Sequence, residues 1–173
     1  MTALLLLTAG LLAAEGLPID TDEMLAAHNA VRREVGVPPL VWSERLADFA
    51  QEWANTLAAR KQFFHRRNSP YGENLFEIRG ARAAPAEVVE SWASESKDYQ
   101  YRSNTCRGVC GHYTQIVWSD TRRVGCAAAR SGRAEGGSVT TIHREIGEAN
   151  SPTSGVSPPD RERNAPHPSG WRF

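Results

Sequence analysis

Apolar positions recur at helical spacing in three stretches of this chain. From Thr21 to Val35 the pattern predicts a helix opened by Asp20 with Glu23 three residues on and closed at Gly36. A second helix is expected after Ser43, a capping residue, with Leu46, Phe49, Ala50, Trp53 and Leu57 forming one stripe. A third starts at Pro85, a residue suited to a first helical turn, and turns Val88, Val89 and Trp92 to one side. Between them, Asn68-Ser69-Pro70 reads as a turn and Asn74 to Ile78 as a short strand. Val124 to Ala129 is a short apolar run of the kind that fills a buried strand. Helices and short strands in this mixed order give an α+β class, a small sheet covered by helices.

The ends differ in character. Thr2 to Ala14 is almost wholly apolar yet too short to span a bilayer comfortably. It reads as the hydrophobic part of a secretory signal cleaved after Gly16, although no basic residue precedes it. A buried helix is the other reading, weakened by Gly10, Gly16 and Pro18. Residues 17–130 are then one domain of an exported protein. From Ser131 onward the chain turns small and polar, and Gly147 to Phe173 is rich in Pro, Ser, Asn and Arg without apolar period. Residues 131–173 are therefore expected to be an aberrant, mostly disordered tail, unable to bury enough surface to offset ordering.

Composition narrows the function classes. In 173 residues, 20 Lys and Arg balance 20 Asp and Glu, so no bulk positive field draws the chain to nucleic acid or to anionic membrane. Lys61, Arg66 and Arg67 form a local basic cluster that reads first as a solvated loop. No segment after the first residues is a transmembrane anchor. Three cysteines, Cys106, Cys110 and Cys126, are an odd number for an exported chain. Cys106 and Cys110 stand close enough to close a small loop, with a Cys-x3-Cys metal site as the alternative.

Three ordered motifs carry more information. They are His28-Asn29-Ala30-Val31-Arg32, Tyr71-Gly72-Glu73-Asn74-Leu75, and Gly111-His112-Tyr113-Thr114-Gln115-Ile116-Val117-Trp118 after Cys110. Together, from about Met24 to Ala129, they resemble the CAP superfamily of cysteine-rich secretory proteins, antigen 5 and the group-one pathogenesis-related proteins of plants. The resemblance implies a three-layer α-β-α sandwich with a small antiparallel sheet. It also implies a Cys106–Cys110 disulfide and a bond from Cys126 to a cysteine of a closing strand. A further family disulfide would need cysteines at Lys61 and Ser131, and both are absent.

That closing strand is expected to be missing. A family strand reading close to Val-Cys-Asn-Tyr-Asp-Pro-Pro-Gly-Asn, back-translated and read one nucleotide late, can give Ser138 to Ile146 of this chain. The hypothesis is a frameshift between about Arg130 and Gly137, which turns the partner of Cys126 into Val139 and removes His143 and His167 from consideration as ligands. Resequencing the gene tests it; an intact frame without such codons ends the idea.

The resemblance places His65, Glu73, Glu95 and His112 around a central cleft, with Glu90 as the substitute for Glu95 if the third helix is out of register. Two imidazoles and two carboxylates are a donor set for zinc or another divalent cation. The same four residues can instead form a metal-free hydrogen-bonded quartet. His28 reads as structural, and Arg32 is expected to bond loop carbonyls or Asn29. Trp42, Trp53, Trp92 and Trp118 read as core.

Three function classes stay open. One is a secreted binding module for an unknown extracellular ligand, such as a sterol or lipid, in defence or host interaction. Another is a metal-dependent hydrolase or peptidase with Glu73 or Glu95 as general base. It lacks a His-Glu-x-x-His string, and Ser94 and Ser96 show no nucleophile elbow, so no catalytic residue is assigned. The third is a non-functional product of the proposed frameshift.

Overall fold

The computed structural model describes residues 16–80, 82–131 and, for the backbone, 138–146. The expected signal segment up to residue 15, and the tail beyond 146, lie outside the described residues. The helices predicted from apolar spacing are present as α1 (Thr21–Glu34), α2 (Glu44–Arg60) and α3 (Pro85–Ala93). Their starts follow from local chemistry. The Glu23 N–H donates to Asp20 Oδ1 at 2.9 Å, the Leu46 N–H to Ser43 Oγ at 3.4 Å, and the Ala84 N–H to Glu87 Oε2 at 2.8 Å. Each bond satisfies an amide at a helix start that has no partner within the helix. A short helix α4 (Gly111–Ile116) and a 3-10 turn at Ser94–Asp98 were not legible as periodicity, because neither is long enough to show a stripe.

The main sheet comprises β1 (Gly16–Leu17), β2 (Val41–Trp42), β3 (Gly72–Ile78), β6 (Thr121–Arg130) and β7 (Ser138–Ile146). Its order is β1-β6-β7-β3, with β2 pairing parallel to β6. Two further short strands, β4 (Tyr99–Gln100) and β5 (Thr105–Cys106), make a separate hairpin. Strand β7 corrects the expectation that the closing strand is missing. Val139, Thr140, Thr141 and Ile142 are β-branched, a composition suited to an interior strand, and the backbone pairs antiparallel with both β6 and β3. Its register sets Cys126 opposite Ile142, Val139 opposite Ala129, and His143 opposite Glu73.

Alternation along β6 separates two cores. Val124 and Cys126 pack with Met24 of α1, Val88, Val89 and Trp92 of α3, and Ile116 and Val117 around α4. Gly125 and Ala129 face the other way, toward α2. The α2 face is lined by small residues, Ala50, Ala54 and Ala58, all buried, so helix and strand approach closely. A Cβ at Gly125 would lie 2.2 Å from the Ala47 amide nitrogen, so the site requires glycine. The result is α2, sheet, then α1, α3 and α4: the three-layer sandwich expected.

One side chain ties the second layer to the sheet. Arg32, fully buried, donates from Nε to the Pro38 carbonyl at 2.7 Å. Its Nη1 donates to the carbonyls of Ile116 at 2.7 Å and Trp118 at 2.9 Å, and its Nη2 to that of Thr121 at 3.1 Å. Burial is the main cause that lowers its pKa to about 10, with Arg122 adding repulsion, so the guanidinium stays charged at neutral pH. Asn29 acts similarly on a smaller scale, donating to and accepting from the backbone of Leu40 at 3.0 and 2.7 Å.

Replacing Arg32 with Met removes one donor from each of four carbonyls, those of Trp118 and Thr121 keeping another, and is expected to cost about 3–5 kcal/mol. Gly125→Ala is expected to cost about 1–3 kcal/mol by forcing α2 off the sheet. Chemical denaturation of both variants checks these values; a loss below 1 kcal/mol for Arg32→Met would refute the role given to it.

Candidate functional site

The four residues assigned to the cleft form two imidazole–carboxylate pairs. Glu73 is the second residue of β3 and is buried, while the His65 side chain is 62% exposed. His65 Nδ1 lies 2.6 Å from Glu73 Oε1, and the same oxygen accepts the Arg66 N–H at 3.0 Å. Since an ionised carboxylate only accepts, the proton between them sits on Nδ1, and neutral His65 carries its lone pair on Nε2. The hydrogen bond to Glu73 raises the His65 pKa above 6.5 against the opposing effect of partial burial, and the negative charge of Glu73 adds to the rise.

The second pair has the same chemistry on different elements. Glu95 stands in the 3-10 turn that extends α3, and His112 is the second residue of α4. His112 Nδ1 lies 2.7 Å from Glu95 Oε1. Glu95 Oε2 accepts the His112 N–H at 2.9 Å, and the Tyr113 N–H is 3.4 Å away. One carboxylate thus holds both the ring and the first turn of α4. Glu90, the alternative to Glu95, is exposed on α3. Trp92 lies beneath, its ring centroid 6.1 Å from that of His112, and its indole N–H is fixed on the Leu75 carbonyl at 3.0 Å.

Consecutive residues of β3 connect the two pairs. Neighbouring strand side chains point to opposite faces. Glu73 and Leu75 share the face toward α2, where Leu75 packs with Leu57 and Trp53. Asn74 turns to the other face and donates from Nδ2 to the His112 carbonyl at 3.0 Å. Because β3 ends the strand order, the pairs flank the start of an edge strand from either side. Sequence reasoning did not single out Asn74 or Trp92 as site residues; the Gly-Glu-Asn string was the available signal for the former. Asn74 Oδ1 is buried and has no hydrogen-bond partner among the described residues. Among the described residues, no three His, Cys, Asp or Glu side chains converge closely enough to hold an ion. What does suit a cation is narrower: each imidazole has Nδ1 committed to a carboxylate, which leaves Nε2 as the nitrogen a metal would take.

The remaining sequence assignments find plain structural places. His28 is buried, its Nδ1–H donates to the Met24 carbonyl at 2.8 Å, and burial lowers its pKa to about 4, so it is neutral and structural. Ser94 Oγ donates to the Ser91 carbonyl at 2.7 Å, not to a histidine. Trp92 is core, while Trp42, Trp53 and Trp118 are half-buried. Cys106 and Cys110 are joined as a disulfide with Cα atoms 6.0 Å apart, and Cys126 is a free, buried thiol. A second concavity of about 390 Å³ lies between the starts of α1 and α3 and the sheet. Its wall includes Pro18, Ile19, Met24, Phe76, Ile78 and Val88. No described helix is long and apolar enough to cross a membrane.

Comparisons with known proteins agree with this architecture. The chain is 40% identical over 131 residues to pathogenesis-related protein 1 of Arabidopsis thaliana, covering 73% of this chain and 80% of that protein. It is 46% identical over 108 residues to pathogenesis-related protein 1A of Nicotiana tabacum, covering 61% of this chain and 64% of that protein, just under two thirds of its length. Among solved structures, the hookworm platelet inhibitor superposes with a TM-score of 0.60 at 20% identity, covering 85% of this chain and 80% of that one. The crystal structure of NaASP2 with Zn2+ gives a TM-score of 0.54 at 20% identity, covering 70% and 77%. At such identities the superpositions show the fold. The model of the CAP family, the cysteine-rich secretory protein family, matches residues 25–142, and the chain belongs to that family.

Proposed function

We propose that this protein is a secreted, non-catalytic binding module whose two oriented imidazoles hold a divalent cation such as zinc. The observation that carries the reading is the matched engagement of His65 and His112 through Nδ1, at 2.6 and 2.7 Å, by Glu73 and Glu95. That arrangement fixes the tautomer that a metal requires and raises ligand basicity. His65 and His112 would bind the ion through Nε2, with Glu73 and Glu95 orienting them, and bound zinc would supply Lewis acidity and a site for an oxygen ligand. The zinc in the NaASP2 structure is a property of that protein and supports the choice of probe here. Both carboxylates accept backbone N–H groups as well as imidazole, which favours an orienting role over that of general base and counts against the hydrolase reading. The volume of the second concavity and its mainly apolar wall, which also carries Asp20 and Arg82, suit a sterol or acyl chain with a polar end as the extracellular ligand. The names of the Arabidopsis and tobacco relatives direct the biological reading to plant defence.

Isothermal titration with zinc tests the cation site. Wild type is expected to bind one ion, and His65→Ala and His112→Ala to lose affinity by at least about tenfold each; equal heats for all three proteins would exclude it. Fluorescent fatty acid should bind wild type and be weakened by Ile78→Trp, which fills the concavity, without changing the zinc heat. An Ile78→Trp variant with full fatty-acid affinity would remove the apolar site.

Protons should compete with the cation. His65 must be neutral to coordinate, and its raised pKa makes zinc affinity fall as pH is lowered through a value above 6.5. Stability moves the other way. A folded-state pKa above the unfolded value contributes stability that is fully present below about pH 6.5 and lost as pH rises through the folded value. The difference in unfolding midpoint between wild type and His65→Ala should therefore shrink from acid to alkaline pH, measured without metal. A difference that grows with pH would contradict the His65–Glu73 assignment.

A further inference from the structure

The segment that returns from α2 to β3 carries an unbalanced charge beside exposed aromatic surface. No Asp or Glu occurs from Trp53 to Gly72, whereas Arg60, Lys61, Arg66 and Arg67 do, in a chain of zero formal charge. Arg66 is spent internally. Its guanidinium stacks 3.9 Å above the Phe49 ring and pairs with Glu52 at 3.0 Å, and its N–H is held by Glu73. Glu52 and Glu73, the nearest acids along the chain, are thereby engaged with Arg66 and His65. Arg60, Lys61 and Arg67 are exposed and have no ion pair among the described residues.

Between these cations the loop projects two phenylalanines. Phe63 is 47% and Phe64 36% exposed, and they are adjacent, unlike the other exposed large apolar residues, Val41 and Val109. Phe64 is braced edge-on against Trp53, with centroids 5.3 Å apart. Lys61 is fixed at the helix end in the left-handed conformation, φ 51°. The root is thus rigid while the tip is apolar and ringed by positive charge. A soluble polyanion would use the cations but leave the phenylalanines in water. A bilayer with anionic headgroups takes both, the rings at the acyl boundary and the cations at the phosphates.

We propose that residues 60–67 form a docking loop for an anionic lipid bilayer. Phe63 enters the interface, and Arg60, Lys61 and Arg67 contact lipid phosphates and carboxylates. His65 of the cation site lies in the same loop, but the docking contacts are made by Arg60, Lys61, Phe63 and Arg67 and need neither a bound cation nor an occupied apolar concavity. Docking through one short loop is reversible, since a single weak apolar anchor needs its basic patch to hold.

Sedimentation of the full chain with vesicles tests the proposal. Wild type should partition onto phosphatidylcholine vesicles containing about one third phosphatidylserine and not onto pure phosphatidylcholine, with binding lost at high salt. Arg60→Gln, Lys61→Asn and Arg67→Gln together should lower the partition about a hundredfold, asparagine being chosen because it tolerates the left-handed backbone. Phe63→Ser should lower it about fivefold or more. Thermal midpoints confirm folding; should the triple variant unfold, Arg67→Gln alone is expected to lose about fivefold. Equal binding to neutral vesicles, or unaltered binding by the charge variant, would overturn the proposal. So would a charge-dependent partition that Phe63→Ser leaves unchanged, which would mark a polyanion site instead.

Discussion

A single buried guanidinium holds the helical layer to the sheet. Arg32 reaches from α1 to carbonyls of the loop before β2, the end of α4 and the start of β6. The α1 guanidinium thereby links the loop before β2 to segments 84 to 89 residues beyond Arg32 in the chain. A charged donor with fixed fork geometry satisfies all four carbonyls at once, which a lysine could not do. The cost of burying the charge is offset because every N–H direction used meets an acceptor.

The candidate site inherits its order from this pin. The carbonyls of Ile116 and Trp118 belong to the turn that ends α4, and the start of α4 is held by Glu95. His112 is thus fixed at both ends of a six-residue helix that would be marginal alone. His65 has no such frame, lying in a loop and held by Glu73 on β3, whose carboxylate also accepts the Arg66 N–H. The two imidazoles share a chemistry but differ in exposure, 62% for the His65 side chain and 30% for His112. The hydrogen bond to Glu73 holds the His65 pKa above its ordinary value in spite of partial burial.

Local sequence signals identified the parts whose causes are local. Caps at Asp20 and Ser43, Pro85 in a first turn and the stripes of α1, α2 and α3 follow from nearest-neighbour chemistry and were legible. Strands β3 and β6 were found slightly short, since their outer residues lack apolar character. For strand β7 the local signal is the β-branched run Val139 to Ile142, in a segment that has no clean apolar alternation. At the site, resemblance supplied His65, Glu73, Glu95 and His112, with Glu90 as the alternative to Glu95. The pairing was beyond it: that each acid serves one imidazole, and that Asn74 reaches His112 across the strand, depends on the two-residue alternation of β3 in three dimensions.

The central claim is that both imidazoles are held through Nδ1 and offer Nε2 to one cation. Nitrogen-15 correlation spectra of the histidine rings at alkaline pH, before and after zinc, test it most directly. Both His65 and His112 are predicted to be Nδ1–H tautomers, with both Nε2 resonances shifting together at one ion per chain. An Nε2–H tautomer at either ring, or a zinc shift confined to one of them, would contradict the account.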